Sequence, residues 1–236
     1  YLAIVTIAAS EIVRLTFRSV SLRDTFGGSN GLSGFSNGFF DLNPYTDDVG
    51  FGPLTFDNRS AWVITVGWVL VVIASLIVWA LMRSPWGRVI KGVREDEEAV
   101  RSLGKNVYSY KMQALIVGGL LGSLAGFMFA LAQAAVQPDL YSPNFTFFCY
   151  VILILGGAGR VLGPVVGAMI FWALLQLTAG LLSGGVASGF IPSWLMGRND
   201  VGAVRFMIVG VVLILLLVFR PQGIFGDRKE IALDVR

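Results

Sequence analysis

Long apolar stretches alternate with short polar ones along this chain, and six of them stand out. They fall at about residues 1–17, 60–82, 112–135, 143–157, 161–183 and 201–219. The second, SAWVITVGWVLVVIASLIVWALM, is long enough at 1.5 Å per residue to cross a hydrocarbon core. The fourth is short, which predicts a broken or tilted helix. The pattern therefore predicts an all-α, polytopic integral membrane protein with about six spans in a single domain over 1–236. The chain opens inside an apolar segment, with no Met, basic leader or cleavage site before it. It reads as a fragment whose N-terminal helices are missing.

One polar interruption differs from the rest. Residues 83–111 hold seven basic side chains (Arg83, Arg88, Lys91, Arg94, Arg101, Lys105, Lys111) and the acidic run Glu95, Asp96, Glu97, Glu98. At about 2.5–3.5 kcal/mol per charge at a helix centre, sinking residues 85–111 into lipid would cost on the order of 30 kcal/mol. The segment therefore lies outside the hydrocarbon. Lys91–Glu95, Arg94–Glu98 and Glu97–Arg101 are opposite charges four apart, the spacing of a surface helix. Val89, Ile90, Val93, Val100 and Leu103 approximate an apolar stripe on that helix. Gly104 followed by Asn106 predicts its stop. On pattern alone this is either a solvated amphipathic helix on the membrane face or a docking helix for a partner.

The same basic residues orient the chain, because cytoplasmic loops carry the excess of Lys and Arg. The 18–59 connection has three basic residues (Arg18, Arg23, Arg59) against five aspartates (Asp24, Asp41, Asp47, Asp48, Asp57). The tail 220–236 has Arg220, Arg228, Lys229 and Arg236. With 83–111 and the tail inside and 18–59 outside, six spans alternate consistently. Trp62, Tyr141 and Trp194 then fall near the outer interface, and Trp79, Trp86 and Tyr108 near the inner one.

Composition agrees and removes several function classes. Charged residues make up 14% of the chain, against about a quarter in soluble domains, so water is not its main solvent. A net charge of +3 is too small to suggest a nucleic-acid partner. There is no histidine, which removes the commonest general base and metal ligand, and no catalytic or metal site is expected. The single Cys149 lies in an apolar run and reads as packing. DLNPYTDD (41–48) starts like a calcium loop, but Tyr45 and Thr46 replace the ligand and turn glycine that such a loop needs. No G-x-x-x-x-G-K-[ST] occurs, so the chain carries no recognisable nucleotide site. An ion-driven carrier would need intramembrane acids, and apart from Glu11 the spans lack them. Glu11 is three residues from Arg14, and mutual pairing is its simplest role.

Among the 29 glycines, two kinds of cluster stand out. Gly118, Gly122 and Gly126 recur every four residues, as do Gly159, Gly163 and Gly167; such faces let helices approach closely, and Gly118, Gly122, Gly126, Gly163 and Gly167 are read as packing positions within the chain or against another subunit. GGSNGLSGF (27–35) and GGAGRVLGP (156–164) instead suggest broken helices whose free backbone groups line a path. This makes Gly27, Gly28, Gly31, Gly156, Gly157 and Gly159 candidate substrate-path residues, with an ordinary interfacial turn as the alternative. Arg160 fits an anion contact or an inside anchor equally.

EAVRSLG (98–104) resembles the EAA-x-x-x-G signature of the cytoplasmic coupling loop in ABC importer permeases, with Val100 at the second Ala. In order along the chain stand YLAIVTIAASEIVRL, GGSNGLSGF, SPWGRVIKGVREDEEAVRSLGKNVYSYKMQAL, GLLGSLAGFMFAL, LGGAGRVLGPVVGAMI and RPQGIFGD. Together they resemble the LivM-type permease of branched-chain amino acid ABC importers. The resemblance implies a subunit in the inner membrane of a bacterium or archaeon that moves leucine, isoleucine or valine; similar permeases carry urea or short-chain amides. It implies a second related permease, two cytoplasmic ATPase subunits that use the ATP, and an extracytoplasmic substrate-binding protein. No cofactor would be bound by this chain. Arg88, Arg94, Glu95, Glu97, Glu98, Ala99, Arg101 and Gly104 would then meet the ATPases.

Overall fold

The computed structural model describes residues 2–51, 54–157, 159–188, 200–219 and 223–226. Trp194 and most of the 220–236 tail lie outside the described residues. The described chain is helical throughout apart from two short strand pairs, and it divides into two compact units, Tyr1–Phe145 and Thr146–Arg236.

In the first unit, helix α1 (Leu2–Arg18) is followed by short turns and two small helices, α2 (Arg23–Phe26) and α3 (Asn37–Asp41). Between these two lies strand β1 (Leu32–Ser33). A small hairpin, β2 (Val49–Phe51) with β3 (Leu54–Phe56), leads into the 26-residue helix α4 (Asn58–Arg83). Helices α5 (Pro85–Glu95) and α6 (Glu97–Ser102) then connect to the 27-residue α7 (Val107–Gln133). Where a Cβ on Gly67, early in α4, would stand, the methyl of Met128, late in α7, lies 4.0 Å away, while Trp86, just past the end of α4, bonds Gln113 early in α7, so the two long helices run antiparallel. Trp62 donates its indole N–H to the Phe39 carbonyl at 2.9 Å, tying α3 to the first turn of α4. Strand β4 (Ala135–Val136) pairs antiparallel with β1, Leu32 opposite Val136.

The second unit begins within helix α8 (Pro143–Gly156) and holds α9 (Gly163–Ala187) and α10 (Val201–Phe219). Its core is Leu155, Phe171, Leu175 and Val209, all buried, with Phe148, Val151, Ile152, Ile170, Leu213 and Ile224 around them. Phe148 lies 5.6 Å from the Phe171 ring and stacks on Phe206 at 5.9 Å, a geometry that adds modestly to simple burial.

Of the six segments the pattern predicts, three form helices that, among the described residues, are long and apolar enough to cross a bilayer: α4, α7 and α9. The other three stand where predicted but are shorter or charged. α8 has 14 residues and α10 has 19 (Val201–Phe219), while α1 has 17 and carries Glu11 and Arg14. The long helices show large apolar side chains outward, among them Leu76, Leu120 and Leu177, as lipid-facing helices do. Cys149 departs from the packing expectation: it is exposed, because α8 turns that side away from the core.

The Glu11–Arg14 pair is present, and it has a third member. Arg14 donates to Glu11 at 2.5 and 2.9 Å and to Asp139 Oδ1 at 2.6 Å, while Arg18 reaches the same Asp139 oxygen at 3.3 Å. Asp139 sits in a 3-10 turn (Pro138–Tyr141), so the cluster fastens α1 to the chain that follows α7. Sequence spacing revealed the local pair and not the partner 125 residues away.

Candidate functional site

The charged connection is built from its ends inward. At the end of α4, Ser84 takes extended backbone (φ −72°, ψ 168°) and its hydroxyl accepts from the Gly87 N–H, so one residue closes α4 and caps α5. Pro85 follows at the first helical position, where its missing N–H costs nothing. α5 doubles back tightly: a Cβ on Gly87 would lie 2.5 Å from the Leu81 carbonyl oxygen. Trp86 then donates its indole N–H to Gln113 Oε1 of α7 at 2.8 Å.

The single helix predicted within 83–111, ending at Gly104, is two helices. Asp96 leaves helical geometry (φ −152°, ψ 103°) and its carboxylate accepts from the Ala99 N–H at 2.9 Å, capping α6. Aspartate in mid-helix competes for backbone in this way, and here the cap wins. Of the three ion pairs predicted, Glu97–Arg101 forms, at 2.8 Å within α6. Lys91 and Glu95 form no ion pair among the described residues, and Arg94 and Glu98 now stand on either side of the break. Gly104 adopts φ +73°, the left-handed conformation that suits a glycine stop. Asn106 serves the next element, its side chain accepting from the Ser109 N–H to cap α7.

The apolar stripe faces inward at Val89, Ile90, Val93 and Val100, which are partly buried, and Val100 reaches to 3.1 Å from where a Cβ on Gly92 would stand. Leu103 leaves the stripe and is 78% exposed. With it on the outer surface are Arg88, Arg94, Glu95, Glu98, Ala99, Arg101, Gly104 and Tyr108. Glu97 alone of the predicted coupling residues turns partly inward, where it pairs with Lys111 of α7 as well as with Arg101. The hydrogen bond from Lys111, helped by both positive charges and opposed by partial burial, holds its carboxyl below the ordinary carboxylate range. A lowered pKa means that the pair is intact at neutral pH and is lost only as pH falls through that depressed value. Lys111, Gln113 and Gly87 escaped the sequence reading, because their partners lie 14 or more residues away or are backbone.

The glycine clusters are junctions between backbones. Gly31 has no room for a side chain: a Cβ would lie 2.0 Å from the Val136 carbonyl oxygen, where β1 meets β4. A Cβ on Gly27 would meet the Gly31 oxygen at 1.9 Å, and one on Gly28 the Arg23 side chain at 3.2 Å. In the second unit a Cβ on Gly156 would lie 1.9 Å from the Gly163 oxygen. At Gly157 the backbone N–H is paired within the helix end, donating to the Leu153 carbonyl at 2.9 Å, and neither Gly156 nor Gly157 opens to solvent. The α8 carbonyls at Leu155 and Gly156 accept from the N–H groups of Ile224 (2.9 Å) and Phe225 (3.2 Å). Gly159 and Arg160 lie in an exposed turn. The GIF stretch of RPQGIFGD thus closes the end of α8, a role no local pattern announces.

A family of transport proteins, described as "Branched-chain amino acid transport system / permease component", matches residues 1–219. The chain belongs to this family. It is 28% identical over 235 residues to the high-affinity branched-chain amino acid transport system permease protein LivM of Salmonella typhimurium, covering 95% of this chain and 50% of that protein. It is 25% identical over 177 residues to a probable LivM of Methanocaldococcus jannaschii, covering 72% and 48%. The autoinducer 2 import system permease protein LsrC of Photorhabdus laumondii is 29% identical over 160 residues, 65% of this chain and 43% of the relative. No solved structure matches. The chain spans about half the length of the LivM proteins it matches. As a permease component it is a multi-pass membrane protein, and in it α5 and α6 form the charged connection between two full-length apolar helices.

Proposed function

We propose that this chain is the membrane-spanning subunit of an ATP-driven importer of leucine, isoleucine or valine, and that α5–α6 is where partner ATPases push on it. The observation that carries the reading is the outward face of Arg94, Glu95, Glu98, Ala99, Arg101 and Gly104, spread over the end of α5, α6 and the turn behind it, with α6 braced against α7. Small residues at Ala99 and Gly104 suit a short helix entering a cleft. Two ATPase subunits hold that face, a second related permease completes the pathway, and an extracytoplasmic binding protein delivers cargo. This chain binds no nucleotide or other cofactor; its partners hydrolyse the ATP. It lies in a bacterial or archaeal cell membrane with 83–111 and the C-terminus cytoplasmic, following the excess of basic residues there. ATP-driven movement of α6 shifts α4 and α7 between outward- and inward-facing arrangements.

A second cargo reading keeps this architecture and carries urea, a short-chain amide or another small polar solute. It is favoured by the similarity to a protein named for autoinducer 2 import, which shows that one scaffold serves unlike cargo. The ion-driven alternative has less to rest on, since Glu11 is already paired with Arg14.

Co-purification of the tagged full-length protein from native membranes tests the proposal, with Gly104→Arg beside it. Gly104 has φ +73°, so arginine there both strains the turn and crowds the outer face. A nucleotide-binding ATPase should accompany the wild type and be lost from the variant. Transport without any such partner would leave α5–α6 a surface helix only.

A further inference from the structure

Glu97 and Glu98 are neighbours in sequence and opposites in space. Glu98 is exposed on the outer face of α6, whereas Glu97 turns toward α7, where it pairs with Lys111 and with Arg101. The break at Asp96 makes this consequential. Because α5 and α6 are separate helices, α5 cannot carry the motion of α6 as one rigid rod. Each grips the first turns of α7 by its own polar contact. α5 does so through Trp86 and Gln113 at 2.8 Å, and α6 through Glu97 and Lys111.

We infer that Glu97 is a positioning residue that transmits movement of α6 into α7 through Lys111, while Glu98 belongs to the surface that meets the partner. The inference rests on the reading of α5–α6 as the ATPase contact, and it divides that contact into an outer half that binds and an inner half that transmits. A single exposed ion pair contributes little to folding. It matters here because it biases a switch between two arrangements of the same helices, where a small difference is read directly as a population ratio. A Glu97–Lys111 contact made in one arrangement and strained in the other would shift that ratio by about fivefold.

The test uses the full-length protein in its native membranes with its companions, and two readouts. One is the amount of nucleotide-binding ATPase that co-purifies. The other is uptake of labelled leucine, or of whichever amino acid, urea or amide the wild type carries, per ATPase captured. Glu97→Gln and Lys111→Gln should each keep ATPase capture while uptake per captured ATPase falls about fivefold. The charge exchange E97K/K111E restores the pair to α7 but sets a positive charge beside Arg101, so uptake per captured ATPase should rise above that of either single variant without reaching wild type. Glu98→Gln should lower capture and uptake together, leaving their ratio unchanged. Normal uptake per ATPase in Glu97→Gln overturns the inference, as does loss of capture in that variant or failure of the exchange to rescue. A wild type that captures no ATPase overturns the parent reading, and the inference falls with it. A wild type that captures one while Glu97→Gln transports normally overturns the inference alone.

Discussion

Two glycine stripes with the same four-residue spacing have opposite surroundings. In α9, Gly163 and Gly167 press against the end of α8, and a Cβ on Gly167 would lie 2.3 Å from the Ile152 carbonyl oxygen. In α7, Gly118 and Gly122 have no atom of their own unit within 4 Å of where a Cβ would stand, and Gly126 meets only the Tyr141 ring at 3.8 Å. The spacing shows that a helix can be approached closely. It does not show who approaches. In the second unit the approaching body is the preceding helix, seven residues back at Gly156–Gly163, so the contact is local. In the first unit the stripe lies on an apolar helix with Leu120 and Leu124 exposed beside it, open to lipid or to another subunit.

The sharpest way to break this contrast is Gly167→Ala. The atoms a new methyl would strike belong to backbone, at Ile152 and Gly156, so no side chain can swing aside and α8 and α9 must separate. Overpacking of this kind costs about 1–3 kcal/mol, and here the upper end applies. The expected result is a clear fall in the midpoint of thermal unfolding in detergent and in folded yield by size exclusion. Wild-type behaviour would mean that α8 and α9 do not meet as tightly as their glycines imply.

Gly223→Ala acts on the same junction from the other side. A Cβ there would lie 2.5 Å from the Ile154 oxygen, and the residue sits at φ +76°, which costs roughly 1–2 kcal/mol for any other L-residue. Lifting of the GIF segment takes Ile224 off one side of the Leu155–Phe171 core but leaves Phe148, Ile170 and Leu213 around it, so the loss stays local. Hydrogen exchange at the Ile224 and Phe225 amides, which now donate to Leu155 and Gly156, should quicken by about tenfold while folded yield holds. Unchanged protection would show that the α8 end does not depend on this clasp.

These two sites also mark what the sequence could and could not say. Helix positions were legible because lipid demands long apolar runs; α4, α7 and α9 fall where the pattern put them. The charged connection was legible as helix and as interruption, and Gly104 as its stop. The break at Asp96 was not, although an aspartate three residues before Ala99 is a capping signal that a strong i,i+4 charge pattern masks. Contacts between distant positions left no trace in spacing. Asp139 with Arg14, Lys111 with Glu97 and Ile224 with Leu155 each join residues whose separation in sequence follows no period. The glycines were legible as close-approach positions, and only the fold says that Gly156 is filled by backbone while Gly118 is bare.

Gly118→Ala carries the smallest effect and the opposite sign. Nothing in its own unit opposes a methyl there, and alanine is favoured over glycine in a helix interior by about 0.5–1 kcal/mol. The isolated chain should therefore keep or slightly raise its unfolding midpoint, in contrast to Gly167→Ala. If α7 presents this stripe to a second permease, the same methyl holds the two backbones apart, and co-purification of that subunit should weaken although the chain itself is no less stable. Undiminished capture would place the stripe against lipid, and the glycines would then owe their spacing to something other than a partner. A fall in the chain's own midpoint would break the contrast altogether, because it would mean that α7 is covered from within, as α9 is.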